Sequence, residues 1–147
     1  AVRPGGRLAV VVWQPRDASP LHARVLDVVV ATAARHGVKL TIDAPDAGVY
    51  SFGVADRVCP LLEGAGWVDV RFVPHTLPLH VGGTGASPAE AARTRLEVGP
   101  VEVLLREVPP EVKAAVSDAV RAEFESHWDG LGVRFDAGIA IVTARRP

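Results

Sequence analysis

The sequence predicts an α/β protein, and three observations lead to that class. Short β-branched runs, typical of strands, alternate with longer runs whose apolar residues recur every three or four positions, typical of helices. Of the 147 residues, 48% are hydrophobic and 22% are charged, which is the composition of a folded globular domain. No repeat or shift of composition divides the sequence, so we predict one domain over residues 1–147.

Composition excludes several classes of partner. The net charge is -1 and charges of both signs are interleaved, so neither a nucleic acid nor an anionic membrane surface is expected to bind. No apolar run is long enough for a membrane span, and the chain opens without a cleavable signal sequence. The single cysteine, Cys59, favours a reducing, cytoplasmic compartment. Methionine is absent, even at position 1, which indicates that natural translation starts upstream.

The first predicted strand, residues 8–13, follows a turn formed by residues 3–6. It is a continuous run of apolar, largely β-branched residues, typical of a strand buried on both faces of a parallel sheet. Such a strand needs a neighbour on each edge, because an open edge promotes aggregation. We therefore expect a missing N-terminal half, a second chain or a homodimer to cover that edge.

Start and stop signals predict the helices. Ser19 is a suitable N-cap for a helix that begins at Pro20, and Gly37 ends that helix. Ser87, followed three residues later by Glu90, has the pattern of a capping box. The predicted helical segments are residues 20–36, 55–63 and 88–97, a last helix that Pro109 or Pro110 opens and that reaches residue 127, and a shorter helical turn at 101–107.

Two further strands are predicted. Residues 67–79 alternate imperfectly between apolar and polar side chains. Pro74 and Pro78 indicate that the second half of this segment is an edge strand or a loop. Residues 133–144 form the last strand, which can pair with the middle one. The glycine-rich residues 81–86 precede a helix that carries its own Ser87 cap, so we interpret them as a flexible loop rather than a cofactor site.

Three segments in this order resemble class I S-adenosylmethionine-dependent methyltransferases, in particular UbiE-like and other small-molecule methyltransferases. The proline-glycine-glycine turn of residues 3–8 precedes a strand that ends at Trp13, as before the family's fifth strand. Residues 55–70 resemble the family's next helix, the Ala-Gly-aromatic turn that follows it and the family's sixth strand. Residues 138–146 resemble its seventh strand. The resemblance covers the second half of the family domain and none of the first.

The resemblance implies the C-terminal half of a Rossmann-like methyltransferase fold, with strands five, seven and six in that order and the seventh antiparallel. Residues 87–128 would be a helical insertion between the last two strands. The implied activity is methyl transfer from S-adenosylmethionine to an unidentified small molecule. The family's cofactor loop follows its first strand, so we expect this chain alone to bind S-adenosylmethionine weakly and to be inactive. A non-enzymatic interaction or substrate-binding module, or one half of a split enzyme, remains an alternative.

Four residues are candidates for binding the substrate around the first strand. Ligands of doubly wound folds lie beyond the carboxyl ends of the parallel strands, which here means Trp13 and Gln14. Trp13 would line a pocket or, alternatively, cap the core. Tyr50 and Phe52 lie in an irregular stretch that passes over the active site in the resembled family. They would belong to a lid, although simple anchoring to the core is favoured.

The remaining candidates carry charge or titrate. His75 or His80 is a candidate general base, although a solvated position at a strand edge is favoured for each. Arg93 could reach a substrate pocket, but a solvated pair with Glu97 is favoured. Helical spacing places Trp128 on the apolar face of the last helix and predicts that it is in the core. No histidine or cysteine spacing indicates a metal site.

Overall fold

The computed structural model describes residues 2–147 and confirms the mixed α/β class. Within these residues, two 3₁₀ helices, Arg16–Ala18 and Gly48–Gly53, accompany the strands and α-helices. The strands are β1 (Arg7–Trp13), β2 (Val68–Val81) and β3 (Val133–Arg145), and the helices are α1 (Pro20–Arg35), α2 (Ala55–Gly64), α3 (Pro88–Glu97), α4 (Pro100–Leu105) and α5 (Pro110–Glu125).

The three strands form one antiparallel sheet in the order β1-β3-β2. β3 runs antiparallel to β1, with Arg7 opposite Arg145 at one end of the pairing and Trp13 opposite Ile139 at the other. The last strand of the chain therefore lies between the two earlier ones. The sheet cannot form until residues far apart in the sequence have met.

The prediction that the first strand is a parallel strand buried on both faces is wrong. β1 pairs with β3 alone among the described strands, and it lies at an edge of the sheet. The Val11 side chain is 65% exposed and Val10 is 38% exposed. A run of β-branched residues indicates that a segment favours the extended strand conformation. Such runs occur both in central strands and in edge strands. Composition alone therefore could not distinguish the two environments.

The prolines of β2 do not end the strand. β2 continues through Pro74 and Pro78 to Val81, so the expectation of an edge strand is met and that of a loop is not. Proline lacks the backbone N–H that a central strand needs, and β2 lies at the other edge of the sheet, where the loss of one donor is tolerated.

The contacts within the chain divide it into two compact units, each discontinuous in sequence. The first contains β1, α2 and the start of β2, and the second contains α1, α3, α4, α5 and the end of β2. By number, the first unit comprises residues 2–20, 44–77 and 137–147, and the second comprises 21–43 and 78–136.

The core of the second unit is built on α5. The predicted apolar face of this helix is buried, and α3 packs against it. Phe124 is completely buried, and its ring centroid lies 5.5 Å from that of Phe135 on β3. Val25 and Val29 of α1 belong to the same hydrophobic cluster. A core of this size stabilises the unit mainly by removing apolar surface from water.

Most helix boundaries agree with the capping signals. The Ser87 hydroxyl accepts the backbone N–H of Glu90 and the Glu90 carboxylate accepts that of Ser87, so the predicted capping box is confirmed. The prediction for Trp128 is wrong, because its side chain is 41% exposed. α5 ends at Glu125, so helical spacing no longer applies three residues later. None of the helices in residues 2–147 has the length and apolar character needed to cross a lipid bilayer.

Candidate functional site

The carboxyl end of β1 brings together two segments that are distant in sequence. The backbone N–H of Gln14 donates to the Gly138 carbonyl at 3.0 Å, which extends the pairing with β3 by one residue beyond Trp13. The 3₁₀ helix Gly48–Gly53 packs against β1. The backbone of Gly53 lies directly against the Trp13 carbonyl, where a Cβ atom would collide with the oxygen. Only glycine, which has no side chain, permits this approach.

Four of the predicted substrate-binding residues therefore lie on two segments in contact. Trp13 ends β1 and Gln14 follows it, and Tyr50 and Phe52 lie on the 3₁₀ helix that packs against the strand. Tyr50 is 5% exposed and belongs to the core, whereas Phe52 is 49% exposed. The 3₁₀ helix thus has one aromatic ring buried and offers the other to solvent. We refer to these four residues as the aromatic corner.

Two sets of hydrogen bonds fix the backbone around the aromatic corner. The Gly138 N–H donates to the fully buried Ser19 hydroxyl at 3.2 Å, a role for Ser19 that helix capping did not predict. Arg57 of α2 pairs with the Asp46 carboxylate and donates to the carbonyls of Asp46 and Ser51. The segment leading into the 3₁₀ helix is therefore held by a side chain from the following helix.

The two candidate histidines occupy different environments on β2. His75 is exposed in the middle of the strand. His80 is half-buried near its end, in the second unit, and its Nε2 lies 2.8 Å from Oδ2 of Asp129. Asp129 lies in the loop between α5 and β3. Because 49 residues separate the pair, no local sequence pattern could have indicated it.

Backbone N–H groups of its own loop donate hydrogen bonds to the Asp129 carboxylate. Its Oδ1 accepts the backbone N–H of Leu131 at 2.8 Å and that of Gly132 at 3.0 Å. The hydrogen bond from His80 and then these backbone donors lower the pKa of the Asp129 carboxyl to about 2. Hydrogen bonds to a charged carboxylate favour the ionised form. Asp129 is therefore an anion throughout the neutral pH range.

The imidazole of His80 also packs against the backbone of the Asp129 loop. A Cβ atom at Gly132 would lie 3.0–3.2 Å from Cγ, Cδ2 and Cβ of His80. These distances are shorter than ordinary van der Waals contacts, so a side chain at position 132 would displace the ring. The absence of a side chain at Gly132 thus leaves room for the imidazole in this position.

Arg93 lies on the exposed surface of α3, beside a cavity of about 400 Å³. Leu96 and Leu105 contribute apolar surface to this cavity, and Arg106 and Lys113 contribute positive charge. Among the ion pairs of residues 2–147, none joins Arg93 to Glu97, so the i, i+4 pair favoured from the sequence does not form. The cavity combines an apolar wall with cationic groups, although Glu102 pairs with Arg106 there.

The second unit contains a buried histidine, which the sequence did not predict. His22 of α1 is 5% exposed. Its burial, together with the positive charge of Arg95 on α3, lowers its pKa to about 4. The ring is therefore neutral at physiological pH. This placement depends on how α1 and α3 pack, which the isolated residues do not reveal.

The glycine-rich loop after β2 has a defined structure. Gly82, Gly83 and Gly85 all have positive φ angles, and the Gly85 N–H donates to the Leu131 carbonyl at 2.7 Å. The first turn of α3 is already engaged by the Ser87 capping box, so its N–H groups are not arranged for a phosphate. Over the described part of the chain, no three histidine, cysteine or acidic side chains cluster as a metal site would require.

Comparison of the sequence with protein-family models and with curated proteins finds no match.

Proposed function

We propose that this chain is the acceptor-side half of an S-adenosylmethionine-dependent methyltransferase that modifies a small molecule in the cytoplasm. The observation that supports this most is the aromatic corner, which lies at the carboxyl end of β1. Ligands of doubly wound folds bind beyond the carboxyl ends of parallel strands, and the N-terminal half of the proposed enzyme would supply the parallel neighbours that β1 lacks in this chain. An exposed ring at Phe52 next to a fixed backbone suits the flat apolar body of a small acceptor.

The position of the last strand is a second support. β3 lies between β1 and β2 and runs antiparallel to β1. The resemblance implies that position and direction for a seventh strand. Three antiparallel strands also occur in other mixed α/β folds, so the support comes from this position together with the aromatic corner.

The described residues contain no loop that is suited to binding S-adenosylmethionine. S-adenosylmethionine would need a glycine-rich turn between a strand and a helix N-terminus. The only such sequence in residues 2–147 is the loop after β2, and the helix that follows it is capped by its own Ser87 and Glu90. The residues described here therefore do not fit the cofactor, and we assign them to the acceptor side alone.

The test is a methyl-transfer assay on the complete natural polypeptide that carries this sequence. It would be incubated with methyl-labelled S-adenosylmethionine and the small-molecule fraction of its own cells. We expect label in a new small molecule. Phe52→Ala should lower kcat/KM about tenfold, equivalent to about 1.4 kcal/mol. Val49→Ala, at another exposed position of the same 3₁₀ helix, is the control. Failure to bind S-adenosylmethionine or to transfer label would overturn the proposal.

A binding module without catalysis is the alternative, and the exposed face of the sheet favours it. Val11 and Ile141 pair across β1 and β3, and they are 65% and 36% exposed on the same face. An uncovered apolar sheet face is typical of a protein that binds a partner. Intact mass spectrometry of the polypeptide, as purified from its own cells, separates the binding module from the methyltransferase. A polypeptide that begins at Ala1 favours the module or a split enzyme, and a longer one with an upstream glycine-rich loop favours the methyltransferase.

A further inference from the structure

The cavity of about 400 Å³ beside Arg93 is formed by α3, α4 and α5. All of its lining residues fall within 93–117, so the cavity belongs to the second unit alone. It lies where α3 packs against both α4 and α5. Its volume is in the range of sites that bind small molecules.

Two leucines provide the apolar part of this cavity. Leu105 is 6% exposed and belongs to the hydrophobic core of the unit, and Leu96 is partly buried against the same core. An apolar group placed against these side chains would remove surface from water on both partners. The cavity therefore favours a ligand with an apolar body over an inorganic ion.

The charged groups of the cavity do not balance. Three cations line it, Arg93, Arg106 and Lys113, together with two acids, Glu97 and Glu102. Arg106 and Glu102 form an ion pair at 3.1 Å, so their charges offset each other. The other three take part in no ion pair within residues 2–147. The cavity has an excess of one positive charge and two cations that a ligand can reach.

Lys113 is held at the cavity by the end of α4. Its Nζ donates to the Arg106 carbonyl at 2.9 Å, and two of its three N–H groups remain for other acceptors. The Lys113 side chain is half-buried, so salt screens its charge less than that of an exposed lysine. Arg93 adds a planar guanidinium, which can donate two parallel hydrogen bonds to one carboxylate.

A second, larger cavity of the same unit, of about 570 Å³, lacks this excess of charge. It lies between α1 and α5, where Arg24 pairs with Glu123 at 2.6 Å and Arg35 donates to the Thr32 hydroxyl. Asp27 is the second acid of its lining, so two cations meet two carboxylates. An anion would find no net positive charge there, and this cavity provides a comparison within the same unit.

We propose that the cavity between α3, α4 and α5 binds a small organic monocarboxylate. Arg93 and Lys113 donate to the carboxylate, and Leu96 and Leu105 pack against the apolar body. One negative charge matches the excess of one positive charge, whereas a phosphate dianion would exceed it and would also meet Glu97. The inference goes beyond the proposed function and does not rest on it, because none of these residues belongs to the aromatic corner.

The probe is 2-naphthoate, titrated into the complete polypeptide and followed by ¹H–¹⁵N NMR. We expect saturable shifts at residues 93–106 and 113–117, with a Kd of about 1 mM or below, as is usual for a ligand of this size. Ala31 and Ala122, in the second cavity, should not shift. 2-Naphthamide, which has the same rings and no charge, should bind about tenfold more weakly. Equal binding of the amide, or shifts confined to other residues, would overturn the proposal.

Two substitutions should change the affinity in opposite directions. Arg93→Gln should weaken binding of 2-naphthoate about tenfold, because it removes a charged donor. Glu97→Gln should tighten binding about two- to threefold, because it removes an acid from the lining, and misfolding cannot cause a gain of affinity. Arg121→Gln and Glu125→Gln, at an exposed pair of α5 outside the cavity, are the controls and should leave the Kd unchanged. An unchanged Kd in Arg93→Gln, or weaker binding by Glu97→Gln, would contradict the assignment.

Two further ligands test the chemical class. Tighter binding of 2-naphthyl phosphate than of 2-naphthoate would overturn the choice of a monocarboxylate, and equally tight binding of acetate would overturn the role of the two leucines. The two proposals fail separately. A polypeptide that binds 2-naphthoate in this cavity and does not bind S-adenosylmethionine supports this inference and overturns the methyltransferase proposal, and the reverse result overturns only this inference.

Discussion

The backbone of Gly53 packs against the carbonyl group of Trp13, so that a side chain at position 53 would collide with the oxygen atom. This contact joins the 3₁₀ helix to the end of β1 and creates the aromatic corner. The proposed acceptor site therefore depends on one glycine. It also depends on the strand that Trp13 ends.

Gly53→Ala should separate these two segments. We expect the free energy of unfolding to fall by about 1–3 kcal/mol, since overpacking a close contact forces the backbone to shift. Urea denaturation would measure this. The control is Gly64→Ala in α2, where a Cβ atom meets nothing within 4 Å and alanine should be neutral or stabilising by up to about 1 kcal/mol. Equal urea midpoints for the two variants would contradict the contact.

Phe124→Ala should remove the centre of the hydrophobic core in the second unit. Phe124 is completely buried against Phe135, so the loss should be about 3–5 kcal/mol. Phe52→Ala makes the same chemical change at a ring that is 49% exposed, and it should cost far less. Thermal or urea unfolding of both variants checks the prediction, which fails if the two losses are alike.

His22 should make stability depend on pH. Its pKa is lowered to about 4 in the folded protein, first by burial and then by Arg95, whereas the unfolded chain has the ordinary value near 6.5. The unfolded state therefore binds the proton first. The contribution of the neutral ring to stability is complete above pH 6.5 and is lost as the pH falls toward 4.

The size of this effect is about 2 kcal/mol, allowing for the part of the ring that solvent still reaches. His22→Leu should flatten the dependence of the unfolding free energy on pH in that window, relative to the natural protein. His36→Leu, at an exposed residue after α1, is the matched control. An identical pH profile for His22→Leu and the natural protein would show that the ring is not buried as a neutral group.

Features with a local cause could be predicted from the sequence. Ser87 and Glu90 formed the expected capping box because both partners lie within one turn. Gly37 ended α1 with a φ of 74°, a conformation that favours glycine. The start of α5 at Pro110 follows from the fixed φ of proline at a first helical position.

Features that depend on distant contacts could not be predicted. The exposure of β1 depends on which strands pair with it. Its residues indicate that the segment is a strand, and they do not indicate its neighbours. The prediction that Trp128 lies in the core extends helical spacing past Glu125, where α5 ends and that spacing no longer applies. His80 meets Asp129 only because a loop folds onto β2, and neither residue carries a local signal of the other.

The proposed function requires that S-adenosylmethionine binds the polypeptide to which this chain would supply the acceptor side. Isothermal titration with S-adenosylmethionine measures this binding on the complete natural polypeptide and on residues 1–147 alone. We expect saturable binding to the complete polypeptide and weak or no binding to the 147-residue chain. Absence of binding to the complete polypeptide would contradict the function, and micromolar binding to the 147-residue chain would contradict its assignment to the acceptor side alone.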